Sequence, residues 1–346
     1  MSQTLFGIKL IVIFSITFML IKLIIRYAST IGLVDIPNQR STHKTVTPRG
    51  AGIGMLFGII LSDIFFLNTV VLDHITTFVA IFFVFIVGIL DDHRDASPKT
   101  KFYVIFIAVV LLALDDIVIR TLGYFFGYNV SLGWFAIPFT MFAVVGFTNA
   151  LNLSDGLDGL AGSLSIIILA TLCIIGYENH DMFIVSTALS FIAAIIAFMW
   201  FNWNPATIFM GDSGSLTLGF VISILSIKSL AYIQPSAILF IAAIPILDTI
   251  IVMVRRKRTG QSMFSPDKLH LHHILLKFFD GNIRKTVIFI VLLQILYSLI
   301  GLEVADYSFQ PYTLVFFILN MVILYILLNT MILNKNPFAL RKKRRK

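Results

Sequence analysis

Apolar stretches recur along this chain at 5–27, 51–72, 74–90, 102–119, 133–151, 160–177, 182–201, 213–230, 236–254, 283–303 and 311–333. Each runs to roughly 18 to 23 residues, enough for an α-helix to cross about 30 Å of hydrocarbon. A soluble domain cannot be built from them. Of the 346 residues 58% are hydrophobic and only 13% charged, against about 25% charged in soluble proteins. Mean hydropathy of +0.95 agrees. The expected fold is an all-α polytopic membrane protein, one integral membrane domain over 1–346 with about eleven (ten or eleven) transmembrane helices. The first stretch lacks a basic leader and a small-residue cleavage site, so it reads as a retained span and not as a signal peptide. The one cysteine, Cys173, lies in the run LATLCIIG, which excludes a disulfide framework and a cysteine-based metal cluster.

The net charge of +8 is unevenly distributed. Eleven crossings put the loops 28–50, 91–101, 152–159, 202–212 and 255–282, with the tail after 333, on one face, and that face holds nearly all the Lys and Arg. Lys9, Arg120 and Lys228 fall outside it, while Lys22 and Arg26 can snorkel from the first helix. The positive-inside rule makes this face cytoplasmic. The basic tail, 334–346, ends in RKKRRK and reads as a contact with anionic lipid. A nucleic-acid partner would require a folded basic domain that the chain lacks.

The same loops carry the chemistry. Acidic residues at membrane depth are expensive and usually line a polar cavity, and Asp91, Asp92, Asp155, Asp158 and Asp212 all fall at helix ends on this face. Asp73, Asp181 and Asp306, on the other face, read as ordinary interface residues. Asp91 and Asp92 in GILDDHRD point about 100° apart on a helix, so they are expected to divide two jobs, such as proton abstraction or polarisation of a phosphate and support of a metal or cation. Lys101 opens the next span and could hold an anionic group beside them. In FTNALNLSDGLDGLAGS, Asn149, Asn152, Asp155 and Asp158 recur every third residue, a ligand or metal site or else a capping cluster. Asp212 in FMGDSG stands where a helix N-cap would, or else joins an Asn carbonyl as a hard oxygen ligand for Mg²⁺. Phe209 or Trp203 could stack on a base or sit as an interfacial aromatic. The longest loop, 255–282, carries Arg255–Arg258 and His270, His272 and His273. Those histidines suit N–H donation to a diphosphate better than a closed zinc site.

These segments, with DIPNQRSTHKTVTPRGAGIG (35–54), FNWNPATIFMGDSGSLTLG, PILDT (245–249) and SPDKLHLHH, resemble in order and spacing the polyprenyl-phosphate N-acetylhexosamine-1-phosphate transferases, which include the phospho-MurNAc-pentapeptide transferases. The likeness covers nearly the whole chain. It implies that Asp212 with Asn152 ligates Mg²⁺, with Mn²⁺ allowed in its place, beside the donor diphosphate. It also implies that Asp91 and Asp92 are the catalytic or lipid-phosphate-side acids, that Lys101 contacts the lipid phosphate, and that Asp158 and Asn202 lie near uracil. Lys44, Asp155, Phe209, His270, His272 and His273 complete the expected nucleotide-sugar site. Asp248 of PILDT is assigned only a buried hydrogen-bonding role.

The resemblance thus implies a Mg²⁺-dependent phosphoglycosyltransferase of a bacterial cytoplasmic membrane. Such an enzyme passes an N-acetylhexosamine-1-phosphate from a UDP-sugar to undecaprenyl or another polyprenyl phosphate, releases UMP, and starts a cell-surface glycan such as O-antigen or teichoic acid. The partners implied are the UDP-N-acetylated sugar, the polyprenyl phosphate and the bilayer, with a homodimer allowed. The H-x-H-H spacing resembles the UDP-N-acetylglucosamine branch more than the pentapeptide branch. Ala51, where a glycine is expected, is similar to enzymes using UDP-N-acetylfucosamine. A secondary transporter is the rival from another class, but such proteins show internal repeats and midplane sites, and here the polar residues gather at one face.

Overall fold

The computed structural model describes residues 3–37, 45–66, 69–94, 97–258, 260, 270–306 and 310–335. Lys44, residues 261–269 of the long loop and the basic run at 341–346 lie outside them. The elements in chain order are α1 (Gln3–Ile31), β1 (Val34–Asp35), β2 (Thr47–Pro48), α2 (Ala51–Phe65), α3 (Thr69–Asp73), α4 (Ile75–Arg94), α5 (Pro98–Leu114), β3 (Thr121–Phe125) and β4 (Tyr128–Ser131). A 3₁₀ turn (Gly133–Phe135) comes next, then α6 (Ala136–Leu153), α7 (Leu160–Glu178), α8 (Met182–Asn202), α9 (Asp212–Ser229), α10 (Pro235–Ile241), α11 (Ala243–Arg258), α12 (Leu271–Phe278), α13 (Ile283–Glu303) and α14 (Gln310–Lys335). Among the described residues the protein is all-α apart from two short antiparallel pairs, β1–β2 and β3–β4.

Helices occupy every apolar stretch of the sequence. Among the described residues seven are long and apolar enough to cross a membrane, or eight when α10 and α11, bent by 88°, count as one span. Three of the expected eleven, those at α2, α5 and α9, fall outside this count, and α5 has 17 residues. The α2 helix is apolar but only 15 residues long. The α9 helix packs against α2, α4, α6, α7 and α8, and every residue in it except Asp212 and Lys228 is buried. A helix wrapped by other helices has no lipid-facing side, so it can carry Ser213, Ser215, Thr217, Ser223 and Ser226 where a lipid-exposed span could not.

Close backbone approach makes this central position available. Gly88 of α4 lies so near α9 that a Cβ there would stand 2.5 Å from the Ser213 Cα. Away from the site end, α1 is tied to α2 by an ion pair between fully buried Lys9 and Asp63 (2.6 Å). Pairing is how a charge at membrane depth is tolerated. The 88° bend is also accounted for. Gln294 of α13, fully buried, accepts from Ile244 N–H (3.0 Å) and donates to the Ile241 carbonyl (2.8 Å). One amide thus satisfies the backbone groups that the break releases, as a non-aqueous surrounding requires.

The short loop expected between the fourth and fifth stretches instead contains the β3–β4 hairpin, which packs against α14. Asp181 caps α8 at Ile184 N–H (3.1 Å) and accepts from the Tyr232 hydroxyl (2.9 Å).

Candidate active site

The C-terminal ends of α4 and α6 meet the N-terminal ends of α5 and α9. Each brings one of the residues that the sequence singled out. Lys101 of α5 lies between two carboxylates, with Nζ 2.5 Å from Asp212 Oδ2 and 2.9 Å from Asp91 Oδ2. Asn152 of α6 donates from Nδ2 to Asp212 Oδ1 (3.0 Å) and to the Ser215 hydroxyl (2.8 Å). The expected set of Asp91, Lys101, Asn152 and Asp212 is therefore one constellation, drawn from four helices.

Asp92 does something different from its neighbour. Its buried carboxylate accepts the backbone N–H groups of Asp212 (2.8 Å) and Ser213 (3.1 Å). It thus satisfies donors that the first turn of a helix leaves open, and it sits at the positive end of the α9 dipole. Asp212 itself is not the N-cap. That position is Gly211, held at φ +74 with no space for a side chain, because a Cβ there would stand 2.5 Å from Asp92 Oδ2. The capping alternative for Asp212 is excluded, since its carboxylate points to Lys101 and Asn152. The sequence missed Arg49, whose guanidinium donates to the Asp92 carbonyl. Arg49 belongs to a segment that meets the α8–α9 loop through backbone bonds, from Phe209 N–H to the Pro48 carbonyl (2.8 Å) and from Gly52 N–H to the Met210 carbonyl (3.0 Å).

Asp155, in the α6–α7 loop, belongs to the same electrostatic unit. Burial, and then the charges of Asp212, Asp92 and Asp158, push its carboxyl up to about 7. Asp158 is held more locally, accepting from Asn204 Nδ2 (2.8 Å) and Ala206 N–H (3.1 Å). Arg284 of α13 reaches the same loop, donating through Nε to the Asn204 carbonyl (2.9 Å). Both polar atoms of buried Asn202 bind backbone, Oδ1 to Gly159 N–H (2.8 Å) and Nδ2 to the Ile208 carbonyl (2.8 Å). Asn202 therefore shapes the turn around Asp158. Phe209 is half-buried beside Pro48, and Trp203 packs against Gly159.

Of the three histidines, His272 meets the α6–α7 loop. His272 lies against Gly156, where a Cβ would stand 2.3 Å from its Nε2. Its burial, and then its neighbour His273, lower it to about 3, so the ring is neutral. The ring centroids of His272 and His273 are 4.2 Å apart, and His270 stacks at 5.8 Å from His272. Asp248 has the buried hydrogen-bonding role expected of it, meeting His270 Nδ1 at 2.9 Å and Leu271 N–H at 2.6 Å.

A helix bundle with apolar outer faces and a polar cluster of carboxylates, lysine and amide at the ends of its helices defines a multi-pass membrane enzyme. The sequence profile of glycosyl transferase family 4 matches residues 74–230, the stretch from α4 to α9 that carries this cluster. The probable undecaprenyl-phosphate N-acetylglucosaminyl 1-phosphate transferase of Bacillus subtilis (strain 168) is 35% identical over 305 residues, 84% of this chain and 84% of the relative. The undecaprenyl-phosphate alpha-N-acetylglucosaminyl 1-phosphate transferase of Yersinia pestis is 33% identical over 312 residues, 87% of this chain and 84% of the relative. Its counterpart in Escherichia coli (strain K12) is 32% identical over 310 residues, 86% of this chain and 83% of the relative. The chain belongs to glycosyl transferase family 4 and is a membrane transferase.

Proposed function

We propose that this protein transfers N-acetylglucosamine-1-phosphate from UDP-N-acetylglucosamine to undecaprenyl phosphate, releasing UMP. The observation that carries the reading is the position of Lys101 between Asp91 and Asp212, in a chain whose relatives are named for this transfer. An ammonium bridging two carboxylates marks a place built for positive charge. The hard oxygens of Asp212 and of Asn152 Oδ1, which its amide group leaves free, fit Mg²⁺ in its usual mode of one or two carboxylates plus substrate phosphates. When bound, Mg²⁺ would neutralise charge on the transferring group.

The chain's own residues supply the rest. An oxygen of the lipid phosphate attacks the donor's β-phosphorus, the bond from that phosphorus to the bridging oxygen breaks, and UMP leaves with the electron pair. Such transfers need positioning and charge neutralisation more than covalent help. Lys101 is the cation that would turn from Asp212 to the lipid phosphate. Asp91, with its side chain 15% exposed, can accept a proton from that phosphate, whereas Asp92 is fixed to α9. His272, beside Gly156, and its neighbour His273 would meet the donor's diphosphate or sugar. N-Acetylglucosamine is preferred to N-acetylfucosamine because the relatives are named for it.

The site would face the cytoplasm of a bacterial inner membrane, where a soluble nucleotide and a lipid phosphate meet. Lys257→Cys, at the exposed end of α11, should react with a membrane-impermeant maleimide only after cells are opened; labelling in intact cells would reverse the orientation. Activity is tested with purified protein in nanodiscs, undecaprenyl phosphate, labelled UDP-N-acetylglucosamine and Mg²⁺. Label should move into the organic phase, and its failure to move in the complete mixture would reject the reading.

A further inference from the structure

We infer that Asp248 is a positioning residue that fixes which nitrogen of His270 carries the proton. The role in transfer rests on the function proposed above, but the geometry stands without it. Asp248 lies on α11, one turn beyond the bend that Gln294 clamps, and is 4% exposed; His270 is 5% exposed. The two oxygens of Asp248 are used separately. Oδ1 takes Leu271 N–H at 2.6 Å, at the first turn of α12, and Oδ2 meets His270 Nδ1 at 2.9 Å.

An ionised carboxylate only accepts, so the proton in the second contact belongs to Nδ1. Nε2 is then the ring's remaining nitrogen, an acceptor while the imidazole is neutral and a donor only once it is protonated. This revises the expectation that all three histidines offer N–H groups to an oxyanion. A neutral His270 presents an acceptor, suited to a hydroxyl or amide N–H of the donor sugar. Asp248 orients the segment as well as the ring, because Oδ1 satisfies an open α12 donor. It therefore couples the bent α10–α11 span to the helix carrying His272 and His273.

Asp248→Asn separates the two functions. The introduced amide must turn its oxygen to Leu271 N–H, which leaves its NH₂ facing His270 Nδ1. Two donors cannot share that contact, so the ring must move its proton to Nε2. Histidine-selective ¹⁵N spectra in nanodiscs, with His270 assigned by its loss in His270→Gln, read this directly. The wild type should show a protonated Nδ1, and Asp248→Asn a protonated Nε2 with thermal unfolding within a few degrees of wild type. In the transfer assay kcat/KM for the nucleotide sugar should fall ten- to a hundredfold, with KM for undecaprenyl phosphate unchanged. Asp248→Glu should recover part of the rate, because it keeps an acceptor. A protonated Nε2 in the wild type would overturn the inference whether or not the variant folds. So would an unchanged tautomer in Asp248→Asn, or a loss of rate matched by an equal loss of folded protein. If the tautomer switches but the wild type shows no transfer, the positioning stands and the proposed function fails.

Discussion

The carboxylate of Asp92 caps the helix that begins with Asp212, accepting Asp212 N–H at 2.8 Å and Ser213 N–H at 3.1 Å. The adjacent acid, Asp91, instead meets Lys101 at 2.9 Å. One pair of neighbouring acids thus contains a group that builds the site and a group that faces it. The two should separate under mutation. Asp92→Ala leaves two backbone donors without their partner, at about 1–3 kcal/mol for each buried orphan. It should lower both thermal stability and rate, with Asp92→Asn milder because one acceptor remains. Asp91→Asn should cut the rate by more than a hundredfold with little change in melting temperature. Thermal unfolding measured beside turnover checks this, and an equal loss of stability in the two positions would contradict the division.

Asp212 receives Lys101 and Asn152 but caps nothing with its side chain. Asp212→Asn should therefore leave a folded protein while weakening the apparent affinity for Mg²⁺ at least tenfold and removing most activity. A Mg²⁺ titration of rate makes the comparison. Near-normal turnover at low Mg²⁺ would remove Asp212 from the cation site.

Asp155 gives a pH signature. Its carboxyl is raised to about 7 from an ordinary 3.8, by burial and then by Asp212, Asp92 and Asp158. The folded state therefore holds this proton longer than the unfolded chain. Stability falls as pH rises from about 4 to 7, and the penalty is complete above 7. Without divalent ions Asp155→Asn should melt higher than wild type at pH 8, with the gap closing toward pH 4. Mg²⁺ should narrow the gap at pH 8, since a cation among these acids favours the ionised form. Melting curves across pH test the sign, and a gap that widens on acidification would refute it.

The membrane class and the helix positions were legible because lipid imposes a length and a polarity that composition cannot hide. The number of spans is less legible, since α9 is apolar for reasons of burial within protein, short α2 keeps Leu61 and Phe65 exposed, and a hydropathy pattern does not separate burial from exposure to lipid. Asp91, Lys101, Asn152 and Asp212 were legible as polar residues at the ends of apolar runs, and the structure gathers them. The use of Asp92 as a cap was not. It depends on a partner 120 residues away, and no local pattern encodes that. Arg49 and Gln294 were missed for the same reason, although a glutamine inside an apolar stretch was a signal that some buried backbone needed a partner. The proton position on His270 depends on Asp248 accepting twice, a contact that only the folded chain makes.

The most direct test uses UDP-N-acetylglucosamine labelled with ³²P at the β-phosphate, the phosphate attached to the sugar. Transfer of sugar-1-phosphate carries this label into the lipid product and leaves unlabelled UMP in the aqueous phase. With undecaprenyl phosphate and Mg²⁺, the wild-type protein should move the ³²P into the organic phase in proportion to the UMP formed, and Asp91→Asn should not. Labelled UDP in the aqueous phase with unlabelled glycolipid would show transfer of the sugar alone and contradict the account.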